Sequence, residues 1–340
     1  MVDLSLVTDL SRAWIAPAFI FSIVALGLNL QWGHAGLFNA GVAGFFGIGA
    51  YIGAIFTTPA IGPGPGGPGH LGLVSLFAIF TPYTVLIAFL VGGIAAMVVS
   101  GLVGLLIAIP TLRLRADYLA IATLALGAIA VESIRNSDPV TGGVYGILRI
   151  PRPWEFGQDV WRTELAYAIT AGVIVLLVFF LIQRATRAPW GRALKAIRED
   201  EDAALALGKN TYFLKLQAFV IGAALMGGAG ALFAGLLRVA VPDSFTPALT
   251  FSIWTMVIVG GSGNNKGVIV GAFALTFLEY FTLRAKDWFN LSSFWDIRIF
   301  YLRLIAIGLL LIALILFRPA GLVPEPRKVT KKPWILFGSR

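Results

Sequence analysis

Two stretches of this chain hold residues patterned to do chemistry or mechanical work. The first is 190–217, WGRALKAIREDEDAALALGKNTYFLKLQ. Pro189 and Trp190-Gly191 punctuate its start, and Ala193 through Leu207 is rich in Ala, Leu, Lys, Arg and Glu, all strong helix formers. Ala193, Ile197 and Asp200/Glu201 step round one amphipathic helix. Ala203-Ala204 gives it a small, smooth patch, and Gly208 suits its C-terminal end. Such a helix is either a solvated element lying on a membrane or a docking element for a soluble partner. The second stretch is 27–53, GLNLQWGHAGLFNAGVAGFFGIGAYIG, in which Gly33, Gly36 and Asn39 are poor helix formers. An unwound segment at Gly33–Asn39 would present backbone carbonyls beside His34 and Asn39. Continued by Gly41, it would line a polar path for a solute. Four charges, Glu132, Glu279, Arg238 and Arg303, lie in or beside apolar runs. A charge at bilayer depth costs several kcal/mol, so each must reach the interface or face a cavity or a partner. Arg238 and Glu132 sit at the ends of their runs, whereas Glu279 lies deeper and is the best candidate for a functional or paired charge.

Other chemistries are excluded by what the chain lacks. There is no cysteine, which removes disulfides, thiolate metal sites and thiol catalysis. His34 and His70 are too few for a histidine metal cluster, and neither HExxH nor GxSxG occurs. A phosphate-binding Gly-x4-Gly-Lys-Ser/Thr is also missing. The nearest match starts at Gly260 and fails, with Asn265 before Lys266 and Gly267 after it. No cofactor is implied, and His34 with Asn39 makes a poor catalytic pair.

The elements that must position these residues are membrane helices. The 340 residues are 58% hydrophobic and 13% charged, with a mean hydropathy of +0.86. Between Arg12 and Arg113 lie 100 residues without a single Asp, Glu, Lys or Arg. A soluble fold cannot leave that much surface uncharged, and runs of about 20 apolar residues point to spanning helices rather than barrel strands. We therefore expect an all-α, polytopic membrane protein. Its spans fall near 13–30, 35–57, 84–109, 118–134, 164–183, 213–237, 244–262, 267–283 and 299–317. That makes nine, or ten if the apolar stretch 71–83, broken by Pro82, also crosses. The segment 118–134 is short and is expected to be partly buried behind its neighbours. Residues 57–70 hold four prolines and five glycines and read as an exposed loop.

The net charge of +9 reports orientation here rather than nucleic-acid binding, because the basic residues sit between apolar spans. Loop 184–215 carries seven Lys/Arg, and the tail 318–340 carries six. Both are expected on the cytoplasmic side, which with nine spans puts the N-terminus outside. The whole chain reads as one transmembrane domain, with a cytoplasmic loop at 184–212. Small residues four apart, Gly92, Ala96, Ser100, Gly104 and Ala108 in one span and Ala223, Gly227, Ala231 and Gly235 in another, predict helices packed backbone to backbone. Gly36, Gly41, Gly44, Gly47, Gly49 and Gly53 invite the same reading for a third, with a glycine-lined path as the alternative.

Asp202-Ala203-Ala204-x3-Gly208 resembles the EAA-x3-G docking motif of ABC importer permeases, with Asp202 in place of Glu and no I-x-LP following. The longer string Gly191-Arg192-Ala193-x2-Ala196-Ile197-Arg198-Glu199-Asp200-Glu201 is similar to the branched-chain amino acid ABC permease family, in particular its LivM-type subunits. So are the glycine-rich 27–53, Thr141-Gly142-Gly143-x2-Gly146, and Phe251 to Gly271 with Gly260-Gly261-x-Gly263. Together these cover residues from about 20 to 320. The resemblance implies an ABC importer permease fold in a bacterial inner membrane, paired as a heterodimer with a LivH-type permease. Two cytoplasmic ATPases and a periplasmic amino-acid-binding protein complete the implied assembly. It implies that Gly191, Arg192, Ala196, Arg198, Glu199, Asp200, Glu201, Asp202, Ala203, Ala204 and Gly208 couple to the ATPases; the loose glycine-rich segment and the deep charge separately make Gly33, His34, Gly36, Asn39, Gly41 and Glu279 the candidates to line the path. The implied cargo is leucine, isoleucine or valine, with urea, short amides or other amino acids as the alternative within the family. A stand-alone secondary carrier or channel is the rival of a different class.

Overall fold

The computed structural model describes residues 4–61, 70–73, 82–114, 116–156, 159–288 and 298–325. Helix α1 (Leu4–Leu10), a π turn at Ser11–Ile15, α2 (Ala16–Asn29) and a second π turn at Leu30–His34 run on as one rod. Pro17 accounts for the first π turn: its ring lacks an N–H and crowds the carbonyl four residues back, and a widened turn relieves both. Helical structure then stops at Ala35–Gly41 and resumes in α3 (Val42–Thr57). Strand β1 (Pro59–Ile61) pairs antiparallel with β2 (His70–Leu73). Next come α4 (Pro82–Thr111), α5 (Ala116–Arg135), the short α6 (Asp138–Thr141) and β3 (Ile147–Leu148). The long α7 (Val160–Arg187) leads into α8 (Pro189–Glu199), α9 (Glu201–Ala206) and α10 (Thr211–Leu237). Strand β4 (Val239–Ala240) pairs antiparallel with β3, and α11 (Pro247–Gly260), α12 (Asn265–Trp288) and α13 (Arg298–Phe317) complete the described chain.

Each of the nine expected spans contains a helix, but the lengths differ. Among the described residues, six helical stretches are long and apolar enough to cross a membrane: Ser5–His34, Val85–Thr111, Asp117–Arg135, Val160–Arg187, Thr211–Leu237 and Asn265–Ala285. Helix α3 has 16 residues, or ~24 Å at 1.5 Å each, because the first seven residues of the expected span 35–57 are unwound. Helix α11 has 14, and the apolar part of α13 is Tyr301–Leu314. The tenth span expected at 71–83 starts in strand β2, and 74–81 lie outside the described residues. The loop expected at 57–70 is edged by the β1–β2 pair, with 62–69 outside the described residues, as are 326–340 of the basic tail. Helix α5 corrects another expectation. Only 17% of its apolar window is buried, so its shortness does not reflect a place behind its neighbours.

The closest helix packing is the three-helix contact of α3, α4 and α10, and the core continues through α2, whose rod is 72% buried and whose Gly27 lies on Gly222 of α10. Helices α3 and α10 run parallel, with Gly49 against Gly227 and Gly53 against Ala231. Helix α4 runs antiparallel against both, with Gly92 over Gly53 and Gly104 over Ala223. A methyl added at Gly104 would lie 2.7 Å from Ala223 Cβ, and one at Gly53 would lie 2.8 Å from Ala231 Cα. Ala96, Ser100 and Ala108 are fully buried, and Ser100 Oγ donates to the Phe45 carbonyl at 3.3 Å. The four-residue spacing therefore produces close backbone approach, as lipid-embedded helices require.

At the opposite end from loop 187–211, the buried Arg152 anchors the fold. Its guanidinium pairs with Glu164 at 2.8 Å, donates to the carbonyls of Gly235 (2.9 Å) and Leu236, and lies over the Tyr167 ring. It thus satisfies carbonyls that the C-terminus of α10 leaves unpaired. The glycines of 142–146 adopt left-handed φ values of +75°, +59° and +69° at Gly142, Gly143 and Gly146, which bends this end onto β4.

These contacts predict that Gly49→Ala, which drives a methyl into the Gly227 backbone, will destabilise the detergent-solubilised protein by about 1–3 kcal/mol. Gly93→Ala meets nothing within 4 Å and should leave the thermal midpoint unchanged or raised. Equal midpoints for the two variants, measured by thermal unfolding, would contradict this packing.

Candidate functional site

The unwound segment Ala35–Gly41 is the centre of the site. Backbone groups released from a helix inside an apolar protein must find other partners. Leu37 N–H donates to the Gln31 carbonyl at 2.8 Å, and the indole of Trp254 on α11 donates to the Asn39 carbonyl at 3.0 Å. Gly41 N–H donates to Asn39 Oδ1 (2.8 Å) and Ala40 N–H to Thr123 Oγ1 on α5 (3.0 Å). Ala43 N–H, at the start of α3, donates to Thr250 Oγ1 (3.0 Å). Asn39 Nδ2 donates to Gln31 Oε1 (2.9 Å), and Gln31 Nε2 donates to the Phe219 carbonyl of α10 (2.8 Å). Trp32, Phe38 and Trp254 close the segment with mutual ring contacts, Phe38 stacked on Trp254 at 4.2 Å.

A second polar group lies at the end of α2. Asn29, His34, Thr186 and Asn265 are all buried there. Asn265 Oδ1 accepts from Asn29 Nδ2 (2.9 Å) and faces His34 Nε2 (3.2 Å). His34 Nδ1 is buried and has no hydrogen-bond partner among the described residues. Asn265 Nδ2 reaches Thr186 Oγ1 (3.2 Å) and the Gln183 amide (2.9 Å), both on α7. Asn29 Oδ1 accepts from Gly263 N–H (2.8 Å) in the α11–α12 turn. That turn needs its glycines: Gly261 and Gly263 have φ of +110° and +81°, and Gly260 packs on the Gly267 carbonyl.

Arg198 of α8 joins this group to the loop. Its Nη1 donates to the Gly33 carbonyl, and its stem lies 3.2 Å from the position a Cβ would take on Gly36, whose φ is +72°. Of the residues expected to line a path, Gly33, His34, Gly36, Asn39 and Gly41 therefore come together, and Arg198 from the expected docking loop meets them. Glu279 does not join them. It is 14 residues along α12 from Asn265, about 20 Å in a helix, and pairs with Arg303 of α13 at 3.6 Å. Beside Gly41 and Thr250 a cavity of about 20 Å³ has room for a single water and not for an amino acid.

The loop is built differently from the single helix expected. Asp200, extended at φ −156°, splits it, and its Oδ1 accepts from Ala203 N–H at 2.9 Å as the N-cap of α9. Gly208, at φ +74°, closes α9: Gly208 N–H donates to the Leu205 carbonyl and Lys209 N–H to that of Ala204. Gly191 is buried against the Thr186 backbone, so its role is the tight α7–α8 corner. Glu201 pairs with Lys215 of α10. Ala204 is turned inward, so the alanine patch does not form. Arg192, Ala196, Glu199, Asp200, Asp202 and Ala203 face outward, beside Leu205 and Leu207, which are 50% and 79% exposed. Those two leucines went unread in the sequence, although an apolar pair in a charged loop was their signal.

Glu325 bonds Lys195 and Arg198 of α8. Burial raises its pKa, but the hydrogen bond from Lys195 and the charge and hydrogen bond of Arg198 outweigh that and hold the carboxyl below its ordinary value. Burial likewise lowers the Arg198 pKa and is outweighed by Glu199 and Glu325, leaving it raised. Because the folded Glu325 is the stronger acid, its contribution is fully present above the ordinary carboxylate value of about 4.3. It is lost as pH falls through the lowered folded value. Amide protection at Leu322 and Val323, whose N–H groups bond the Val259 and Gly260 carbonyls, should decline over that acid range. In Glu325→Gln this acid-dependent step should be missing. A step of the same size in both proteins would contradict the assignment.

The chain has relatives among known proteins. Residues 12–316 match the family described as branched-chain amino acid transport system / permease component. The chain is 33% identical to the high-affinity branched-chain amino acid transport system permease protein LivM of Escherichia coli, over 92% of this chain and 69% of that protein. It is 27% identical to a probable branched-chain amino acid transport permease protein LivM of Methanocaldococcus jannaschii, over 92% of both chains. To the probable LivH permease of that organism it is 23% identical, over 96% of this chain and 97% of the other. No solved structure matches it. With nearly the whole chain covered by the family and six helices able to cross a bilayer, this protein belongs to the branched-chain amino acid transport permease family and is a multi-pass membrane protein.

Proposed function

We propose that this chain is the permease subunit of an ABC importer that carries branched-chain amino acids into the bacterial cytoplasm. The observation that carries this reading is the family match over residues 12–316, and the physical features of the site support it. The sequence holds no phosphate-binding loop, so nucleotide energy must come from other chains. Loop 189–210 has the form of a docking element. Two short helices fixed to α7 and α10 present Leu205 and Leu207 to solvent within a charged rim. An exposed apolar pair on a rigid corner favours burial against a partner.

In this reading two cytoplasmic ATPases bind the loop. A LivH-type permease pairs with this chain, and a periplasmic binding protein delivers the amino acid. The membrane is the bacterial inner membrane, crossed nine or ten times by a single domain of residues 1–340, with the loop and basic tail cytoplasmic. The packed segment 35–41 supplies backbone and amide groups suited to the charged ends of a zwitterion, and Trp32, Phe38 and Trp254 supply apolar surface for its side chain. The cavity beside Gly41 is too small for that cargo, so transport requires the segment to part from α5 and α11.

In the complete transporter reconstituted into vesicles, wild-type protein should retain the ATPases and take up leucine, isoleucine and valine only with ATP. Leu207→Asp should abolish ATPase retention and uptake together while leaving the thermal midpoint unchanged, since that side chain is 79% exposed. Replacing Gly208 and Glu201 together should have the same effect on retention. Uptake without nucleotide or partner, or full ATPase retention by these variants, would sink the reading.

A further inference from the structure

The acidic group that holds α8 in place comes from the far end of the chain. Glu325 lies 127 residues from Arg198 in sequence. Its Oε1 accepts from Lys195 Nζ, and its Oε2 accepts from Arg198 Nη2 at 3.0 Å. The side chains of all three are half-buried, at 24% to 32% exposure. Glu325 is itself held from behind. Leu322 N–H donates to the Val259 carbonyl (2.9 Å) and Val323 N–H to that of Gly260 (3.1 Å). Asn264 Nδ2 donates to the carbonyls of Val323 (3.3 Å) and Pro324 (2.9 Å). Gly263 passes beside the same carboxylate, where a Cβ would lie 2.6 Å from Oε2, and its N–H bonds Asn29.

The other arm of Arg198 reaches the Gly33 carbonyl. Glu199 also draws Arg198 outward at 2.6 Å, but its side chain is 71% exposed, where water weakens the attraction. Glu325 is thus the inner anchor that competes with Glu199 for the guanidinium.

We propose that Glu325 is a positioning residue that clamps Lys195 and Arg198 of α8 against Gly33–Gly36, so that displacement of α8 is delivered to the unwound segment. This rests on the reading of loop 189–210 as the ATPase-docking element. A half-buried ionic pair on a backbone strapped to α11 is stiffer than one in open solvent. A push on α8 therefore moves the Gly33 carbonyl rather than swinging the arginine into solvent. Without the carboxylate, Arg198 turns to Glu199 and Lys195 is released.

The test uses the complete transporter in vesicles, with wild type, Glu325→Gln and the carboxylate-keeping Glu325→Asp. Three quantities are read: ATPase retention, ATP hydrolysis, and labelled leucine taken up per ATP hydrolysed. For Glu325→Gln we expect retention and hydrolysis at wild-type levels and uptake per ATP lowered roughly tenfold, within the range that coupling free energies span. Glu325→Asp, which keeps a carboxylate for both Lys195 and Arg198, should recover part of the loss. Unchanged uptake per ATP in Glu325→Gln overturns the proposal. So does a loss of retention that accounts for all of the lost uptake, or a Glu325→Asp variant no better than Glu325→Gln. A wild-type complex that retains no ATPase overturns instead the docking reading, and the two failures are told apart by that control.

Discussion

A helix broken inside an apolar protein must give every freed N–H and C=O a partner, and this chain breaks one at Ala35–Gly41. That requirement brings together elements from across the whole sequence. Trp254 of α11 serves the Asn39 carbonyl, Thr123 of α5 serves the Ala40 amide, Gln31 bridges Asn39 to α10, and Arg198 of α8 serves the carbonyl of Gly33 at the head of the break. Each of these ties the segment to a different helix. Moving any of those helices changes the segment, which is what the proposed opening of a passage requires.

What surrounds the break is stiff by comparison. The α3–α4–α10 contact sets glycine, alanine and serine at backbone distance, with Phe45 on Phe219 and Phe46 on Phe233 packed beside them. Such an interface shifts as a body or not at all, as packed interiors do. The end remote from the loop is tied by Arg152, which gathers Glu164 and the last carbonyls of α10 into one buried group. Removing one partner of such a pair is far more costly than never having had it. The architecture thus joins a rigid bundle, fixed at one end, to a soft hinge whose other end is held by the α8 corner.

Much of this was legible in the sequence. The 100-residue interval without charge dictated a membrane protein, and the four-residue spacing of small residues in α4 and α10 dictated their close contact. Gly33, Gly36 and Asn39, poor helix formers in a row of apolar residues, marked the break. Two features were written locally but were outweighed by stronger signals. Asp200 with Glu201 and Asp202 after it is an N-cap with an acidic first turn, yet the surrounding helix formers suggested one continuous helix. The shortness of 118–134 suggested burial, while α5 leaves most of its surface uncovered. The rest depends on long-range pairing that no local pattern carries. Arg152 with Glu164, Asn29 with Asn265, and Glu325 with α8 are matched only once the chain has folded.

The central claim is that the segment 35–41 changes with the state of a nucleotide-driven partner acting through α8. The chain has no cysteine, so a single thiol placed at the half-buried Phe38 reports on the segment alone. Its rate of modification by a membrane-impermeant maleimide, measured in the complete transporter with and without ATP, is the most direct test. A rate that changes severalfold between the two conditions, and that stops changing when the ATPases are omitted, is the predicted result. An identical rate in all conditions would contradict the account.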